Sequence, residues 1–151
     1  MVMPLEEIAR QISRGGTYAA EPDDGLLHIS DLESGSEYNL ELFADSAQIR
    51  QAIWLDCHDL PADELSRLYI LCSMMNARFS GCKSYIDQWG ALLTAADILG
   101  PDLTSTAIET MLNQVEFISL AMLALVETMQ REQRHVTDEE IDVALEVPSL
   151  Q

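Results

Sequence analysis

Positive charge is what this 151-residue chain has least of. Lys and Arg together number 8 against 26 Asp and Glu, a formal net charge of −18. Lys83 is the only lysine, the arginines are scattered, and Arg131 and Arg134 lie close together near the C-terminal end. Nucleic-acid binding depends on clustered cations that neutralise phosphates. At this charge DNA, RNA and anionic lipid are repelled, so a charged partner should be basic or mixed.

Cysteine is also scarce. Cys57, Cys72 and Cys82 make an odd count without a short CxxC pair. That pattern fits reduced core thiols better than a disulfide framework. The longest apolar run, Phe117 to Val126, is interrupted by Ser119 and falls well short of the about 18 residues of a membrane span. Met1 to Glu7 has neither the basic nor the apolar region of a secretion signal. A soluble cytoplasmic protein is expected.

Catalytic signatures are missing as well. There is no G-x-S-x-G, H-E-x-x-H or EF-hand pattern, and Ser13-Arg14-Gly15-Gly16-Thr17 lacks the preceding strand and lysine of a phosphate-binding loop. It reads as a helix stop.

Apolar content, by contrast, is plentiful: 48% of residues, with a mean hydropathy of +0.03. This separates the chain from disordered acidic sequences. A single domain of this size buries roughly 68–70% of the surface its unfolded chain exposes, enough for one hydrophobic core without staples.

Periodicity orders the elements. Pro4 opens a short helix in which Leu5, Ile8, Ala9 and Ile12 form one apolar face, closed by Gly15-Gly16. Pro22-Asp23-Asp24-Gly25 is turn chemistry. Strands are predicted over Leu26–Leu32 and Glu37–Ala44, and a third over Ala52–His58. Pro61 then starts a helix running to about Phe79. Its inner stripe is Leu65, Leu68, Cys72, Met75 and Phe79, and Ile70, Leu71 and Met74 widen the apolar surface. A helix that wide in apolar surface is sandwiched, within the fold or against a partner.

A second strand pair follows at Cys82–Trp89 and Ala91–Leu99, with a polar turn between them. The last long helix is capped by Thr106 with Glu109, or earlier by Asp102 or Thr104, and ends near Arg131–Arg134. Ile108, Met111, Val115, Ile118, Met122, Leu125 and Met129 recur along it at spacings of three and four. The plain reading is a core-facing stripe, the alternative a coiled-coil seam. Leu112, Leu120 and Leu123 add a neighbouring row that could meet a second subunit. Thr137 with Glu140 marks a final short helix, either docked through Ile141, Ala144 and Leu145 or loose.

The predicted fold is therefore α+β: an antiparallel twisted sheet of about five strands packed with helices. The order is α-β-β-β-α-β-β-α plus a short C-terminal helix. Residues 1–134 form one domain and 135–151 an acidic tail.

Chemistry is thin. Asp56-Cys57-His58-Asp59 groups a thiol, an imidazole and carboxylates, the materials of a nucleophile or metal site. On a strand, however, Cys57 would face inward and His58 outward. Asp23-Asp24, Asp63-Glu64 and Asp138-Glu139-Glu140 read as a turn and two helix starts, solvated rather than calcium-binding. No catalytic, cofactor or metal residue is predicted. A small enzyme or metal protein using Cys57, His58 and nearby acids is the alternative from another class. Trp54 and Trp89 could anchor a partner, but burial is the expected fate of both.

The element order and three segments carry a resemblance. Leu68-Tyr69-Ile70-Leu71-Cys72-Ser73-Met74-Met75-Asn76 resembles the apolar helix of the YbjN family and of the related class I (CesT-like) type III secretion chaperones. Cys82-Lys83-Ser84-Tyr85-Ile86-Asp87 and Gly90-Ala91-Leu92-Leu93-Thr94-Ala95-Ala96 resemble the strand pair after it. The resemblance implies a homodimer without a cofactor or catalytic motif. Secretion chaperones of this kind hold a stretch of an effector along apolar grooves, and YbjN-type proteins are described as bacterial sensory-transduction regulators.

The expected function is thus a non-enzymatic, chaperone-like or regulatory protein-binding module, with a type III effector chaperone proper as the narrower alternative. Leu5, Ile8, Ile12, Tyr38, Leu40 and Leu42 are the candidate client groove, against the plainer reading that they pack on one another. Ile70, Leu71 and Met74 are the candidate dimer contacts. A subunit of a larger assembly is a third possibility.

Overall fold

The structure is a computed structural model that describes residues 4–146. Its elements are α1 (Leu5–Ser13), β1 (Tyr18–Asp23), β2 (Leu26–Asp31), β3 (Glu37–Leu42), β4 (Ser46–Trp54), a 3-10 turn at Cys57–Asp59, and α2 (Ala62–Asn76). After them come β5 (Cys82–Ile86), β6 (Leu92–Leu99), a 3-10 turn at Gly100–Asp102, α3 (Ser105–Glu132) and α4 (Asp138–Glu146). The strands form one open antiparallel sheet in the order β1-β2-β3-β4-β6-β5. The class is α+β as predicted, with six strands instead of five. Residues 147–151 of the predicted tail lie outside the described residues.

The strand missed in the sequence is β1. Ala19, Ala20, Glu21 and Pro22 carry no clear alternation, and Pro22 argues against a strand. β1 is an edge strand, where proline is tolerated. Asp24 and Gly25, with φ of 50° and 82°, close the β1–β2 hairpin between the paired residues Asp23 and Leu26. Two successive positive φ values are the two-residue turn that matches strand twist. The predicted strand Ala52–His58 is also displaced. β4 begins at Ser46 and stops at Trp54, and Asp56, with φ of 63°, turns the chain into the 3-10 segment at Cys57.

The chain divides into two compact units, Met1–Gln51 with Ala95–Val115 and Ala52–Thr94 with Glu116–Gln151. In the first unit the strand register builds the core. Leu27, Leu40 and Ile49 lie opposite one another across β2, β3 and β4, Ile29 pairs with Tyr38, and all five are buried. α1 packs on β1 and β2 and buries Ile8, Ala9 and Ile12, leaving Glu6 and Arg10 outside. The first part of α3 contributes Ile108, Leu112 and Val115 to the buried set. Thr104 caps α3 by accepting the Ala107 N–H at 3.1 Å, so of the three predicted caps, Asp102, Thr104 and Thr106, the middle one is used.

In the second unit α2 packs on β5 and buries Leu68, Leu71, Cys72 and Met75. Pro61 stands one place outside this helix, at its N-cap, rather than in its first turn. The later part of α3 buries Ile118, Met122, Leu125 and Met129, so the heptad-like pattern is a core stripe. α3 is long and apolar enough to cross a bilayer by length and composition, yet 44% of its most apolar window is already buried in protein. α4 carries the predicted capping box with both bonds formed: Glu140 N–H to Thr137 Oγ1 at 3.1 Å and Thr137 N–H to Glu140 Oε1 at 2.9 Å. Ile141 is fully buried, and Arg78 reaches Asp138 and Asp142 at 3.3 and 2.9 Å.

Candidate partner-binding surfaces

An open sheet offers two edges to a partner, and side chains guard both. In the first unit the Ala20 N–H of β1 points outward and donates to Ser13 Oγ at 3.2 Å. Outward-facing groups recur every second residue, so the next outward donor position is Pro22, which has no N–H. In the second unit Asn76, the last residue of α2, reaches the outer strand β5. Its Nδ2 donates to the Ser84 carbonyl at 2.9 Å and its Oδ1 accepts the Ser84 N–H at 2.7 Å. The amide thus occupies the place a neighbouring strand would take. A client adding as a further strand meets blocked groups on either edge.

The predicted groove residues separate by burial. Ile8, Ile12, Tyr38 and Leu40 are buried in the first unit, whereas Leu5 and Leu42 are half-buried. Phe43, next to Leu42, is exposed, as is Leu99. The outer face of the same strands is polar. Arg50 pairs with Glu41 at 2.7 Å, and Gln48 donates to Asp97 at 3.0 Å.

Of the predicted dimer contacts, Ile70 is exposed, Met74 half-buried and Leu71 buried. Tyr69 is exposed beside Ile70, and from Leu68 to its end at Asn76 α2 carries no charged residue. An uncharged helix surface is conspicuous on a chain with 23% charged residues. On α3, Leu112 is buried, but Leu120 and Leu123 are exposed with Ala124, and Phe117 is half-buried. Val143 is the exposed apolar residue of α4.

Trp89, predicted to be buried, is 79% exposed at the β5–β6 turn. The preceding Asp87 and following Gly90 were a sequence signal for a turn that displays its tryptophan. Trp54 is half-buried and lines a shallow cleft with Leu60, Glu64, Arg67, Leu68, Val126, Met129 and Gln130.

The Cys57–His58 pair does face in opposite directions, but on the 3-10 turn rather than on a strand: Cys57 is buried and His58 exposed. Burial pushes the Cys57 thiol above its ordinary pKa, and the Cys72 thiol to about 12. Both therefore stay protonated at neutral pH, and a thiol is a much weaker nucleophile than a thiolate. Among the described residues no cluster of three or more His, Cys, Asp or Glu is arranged to hold a metal.

By sequence, no protein-family model and no curated protein matches the chain. Solved structures do. YbjN from E. coli matches over 91% of this chain and 98% of its own, with a TM-score of 0.59 at 14% identity. A chain of the ExsC–ExsE complex matches over 83% and 97%, with a TM-score of 0.61 at 17% identity. A chain of the heterodimeric ExoU–SpcU complex, from the type III secretion system of Pseudomonas aeruginosa, matches over 81% and 96%, with a TM-score of 0.55 at 15% identity. The fold is the one shared by YbjN and the type III secretion chaperones.

Proposed function

We propose that this protein is a non-enzymatic protein-binding module, chaperone-like or regulatory, that acts in the cytoplasm as a homodimer. The observation that carries the reading is the charge-free stretch of α2 from Leu68 to Asn76, with Tyr69 and Ile70 exposed on it. A lone monomer gains nothing from leaving such a surface bare, and burying it against a second copy recovers roughly 25 cal/mol per Å² of apolar area. Ile70 and Met74 form the contact, and Leu71 holds the helix in place from beneath. The client lies on the apolar residues that the first unit leaves accessible, Leu5 and Leu42 with Phe43, above Ile8, Ile12, Tyr38 and Leu40. The side chains that guard both edges favour such side-chain contact over strand addition.

The ExsC–ExsE and ExoU–SpcU complexes, in each of which a chain of this fold is held with a second protein, support a protein client. A type III effector chaperone proper is the narrower form of the same reading. Native mass spectrometry of the tagged protein purified from its source cells tests it. Two copies carrying a stoichiometric second protein are expected, and a bare monomer at every concentration would overturn the proposal.

A further inference from the structure

Trp89 stands out among the exposed apolar side chains because its turn is fixed. Asp87 Oδ1 accepts the N–H groups of both Trp89 and Ala91 at 2.9 Å, and the Asp87 N–H donates to the Ala91 carbonyl at 2.9 Å. Gly90 is buried with φ of 87°, and its carbonyl accepts the Cys57 N–H at 2.8 Å. The His58 ring lies so close that a Cβ added at Gly90 would come within 3.2 Å of it. The turn is thus locked onto the 3-10 segment, and the indole is held out into solvent on a rigid base. A partner that binds it loses little conformational entropy from this side.

The surroundings define the chemistry. From Leu55 to Glu64 the chain holds four carboxylates, Asp56, Asp59, Asp63 and Glu64, and no lysine or arginine. Asp63 is paired with Arg67, while Asp56 and Asp59 flank the very residues, Cys57 and His58, that touch Gly90. Neither makes a salt bridge among the described residues. Leu55 adjoins them and is 59% exposed. An exposed aromatic ring on a turn fastened to a segment that bears unpaired carboxylates suits a cationic head group, which is drawn to the ring quadrupole and to the acids. A like-charged second copy of this chain suits it poorly.

We propose that Trp89, with Asp56 and Asp59 beside it, is a docking point for a basic segment of a protein partner, whose arginine or lysine head group lies on the indole face. The inference rests on the protein-binding reading above and names where a basic stretch of the partner is gripped. A short fluorescein-labelled peptide of repeated Arg-Ser-Leu is the probe, with the same peptide carrying citrulline for arginine as its uncharged control. In Trp54→Phe protein, Trp89 is the sole tryptophan and reports directly.

Arginine peptide should quench its emission and raise the peptide's anisotropy. Trp89→Ala should weaken binding about tenfold, Asp56→Asn with Asp59→Asn should weaken it severalfold, and the citrulline peptide should not bind. Asparagine tolerates the left-handed backbone of Asp56, so that pair of substitutions keeps the turn. The proposal is overturned if the arginine peptide fails to bind, if it binds Trp89→Ala equally well, or if citrulline serves as well as arginine. It is also overturned if Trp89 emission shifts to the blue with protein concentration alone, which would make a second copy the occupant. A natural client that stays bound to Trp89→Ala in native mass spectrometry would remove this docking point and leave the protein-binding reading standing.

Discussion

The two compact units treat their apolar residues differently. In the first, three strands and α1 bury Leu27, Leu40, Ile49, Ile8 and Ile12, and among its described residues the exposed large apolar side chains are Leu32, Phe43 and Leu99. In the second, Leu55, Tyr69, Ile70, Trp89, Leu120, Leu123 and Val143 are exposed, five of them on helices. Register accounts for the contrast. A strand alternates strictly, so a paired sheet sends its apolar residues to one face and its acids to the other. A helix with apolar residues around more than half its circumference cannot bury them all against one neighbour. The surplus apolar content of the sequence therefore ends up on α2 and α3, where partner burial has most to gain.

The largest expected effect separates core from surface. Leu40→Ala in the first unit should cost about 2–5 kcal/mol in chemical unfolding. Ile70→Ser in the second, measured under dilute conditions, should change stability by within about 0.5 kcal/mol. Equal losses at the two positions would erase the contrast between the units.

Next in size is the strand mimic. Asn76→Ala leaves the Ser84 N–H and carbonyl without their partner and should cost about 1–3 kcal/mol. Hydrogen exchange at the Ser84 amide should accelerate with it. An unchanged exchange rate would mean that Asn76 does not guard this edge.

The smallest effect concerns α4. Hydrogen bonds from Arg134 and from the Thr137 backbone hold the Glu140 carboxyl at about 2, below its ordinary 4.5. A depressed acid contributes stability that is full above its unfolded value and lost as pH falls through its folded one. The order of α4 in the natural protein should therefore decline as pH drops from 4.5 towards about 2. Glu140→Gln should show a weaker α4 at neutral pH, and the gap between the two proteins should close over that window. Parallel acid profiles would contradict the assignment. Exchange rates of the α4 amides read both.

Much of this was legible from residue pattern. Alternation marked β2 and β3, the spacing of Ile108 to Met129 marked the core stripe of α3, and Thr137 with Glu140 marked the α4 cap. β1 was not legible because its pairing comes from β2 and its own residues do not alternate. The start of β4 was obscured because Gln51 puts a polar residue where the alternation of Ala47 and Ile49 calls for an apolar one. The candidate surface was legible only in part. The width of α2 pointed to Ile70 and Met74, but periodicity does not say which of Ile70 and Leu71 faces out. Trp89 escaped because hydrophobicity argues for burial, whereas its exposure follows from Asp87 and Gly90 fixing the turn.

The central claim is that the uncharged face of α2 joins two copies of this chain. Multi-angle light scattering of the natural protein and of Ile70→Asp, each across a dilution series, tests it most directly. A dimer that becomes a folded monomer in Ile70→Asp is the result expected, because a buried unpaired carboxylate costs several kcal/mol at an interface. A natural protein that is already monomeric, or an Ile70→Asp protein that stays dimeric, would contradict it.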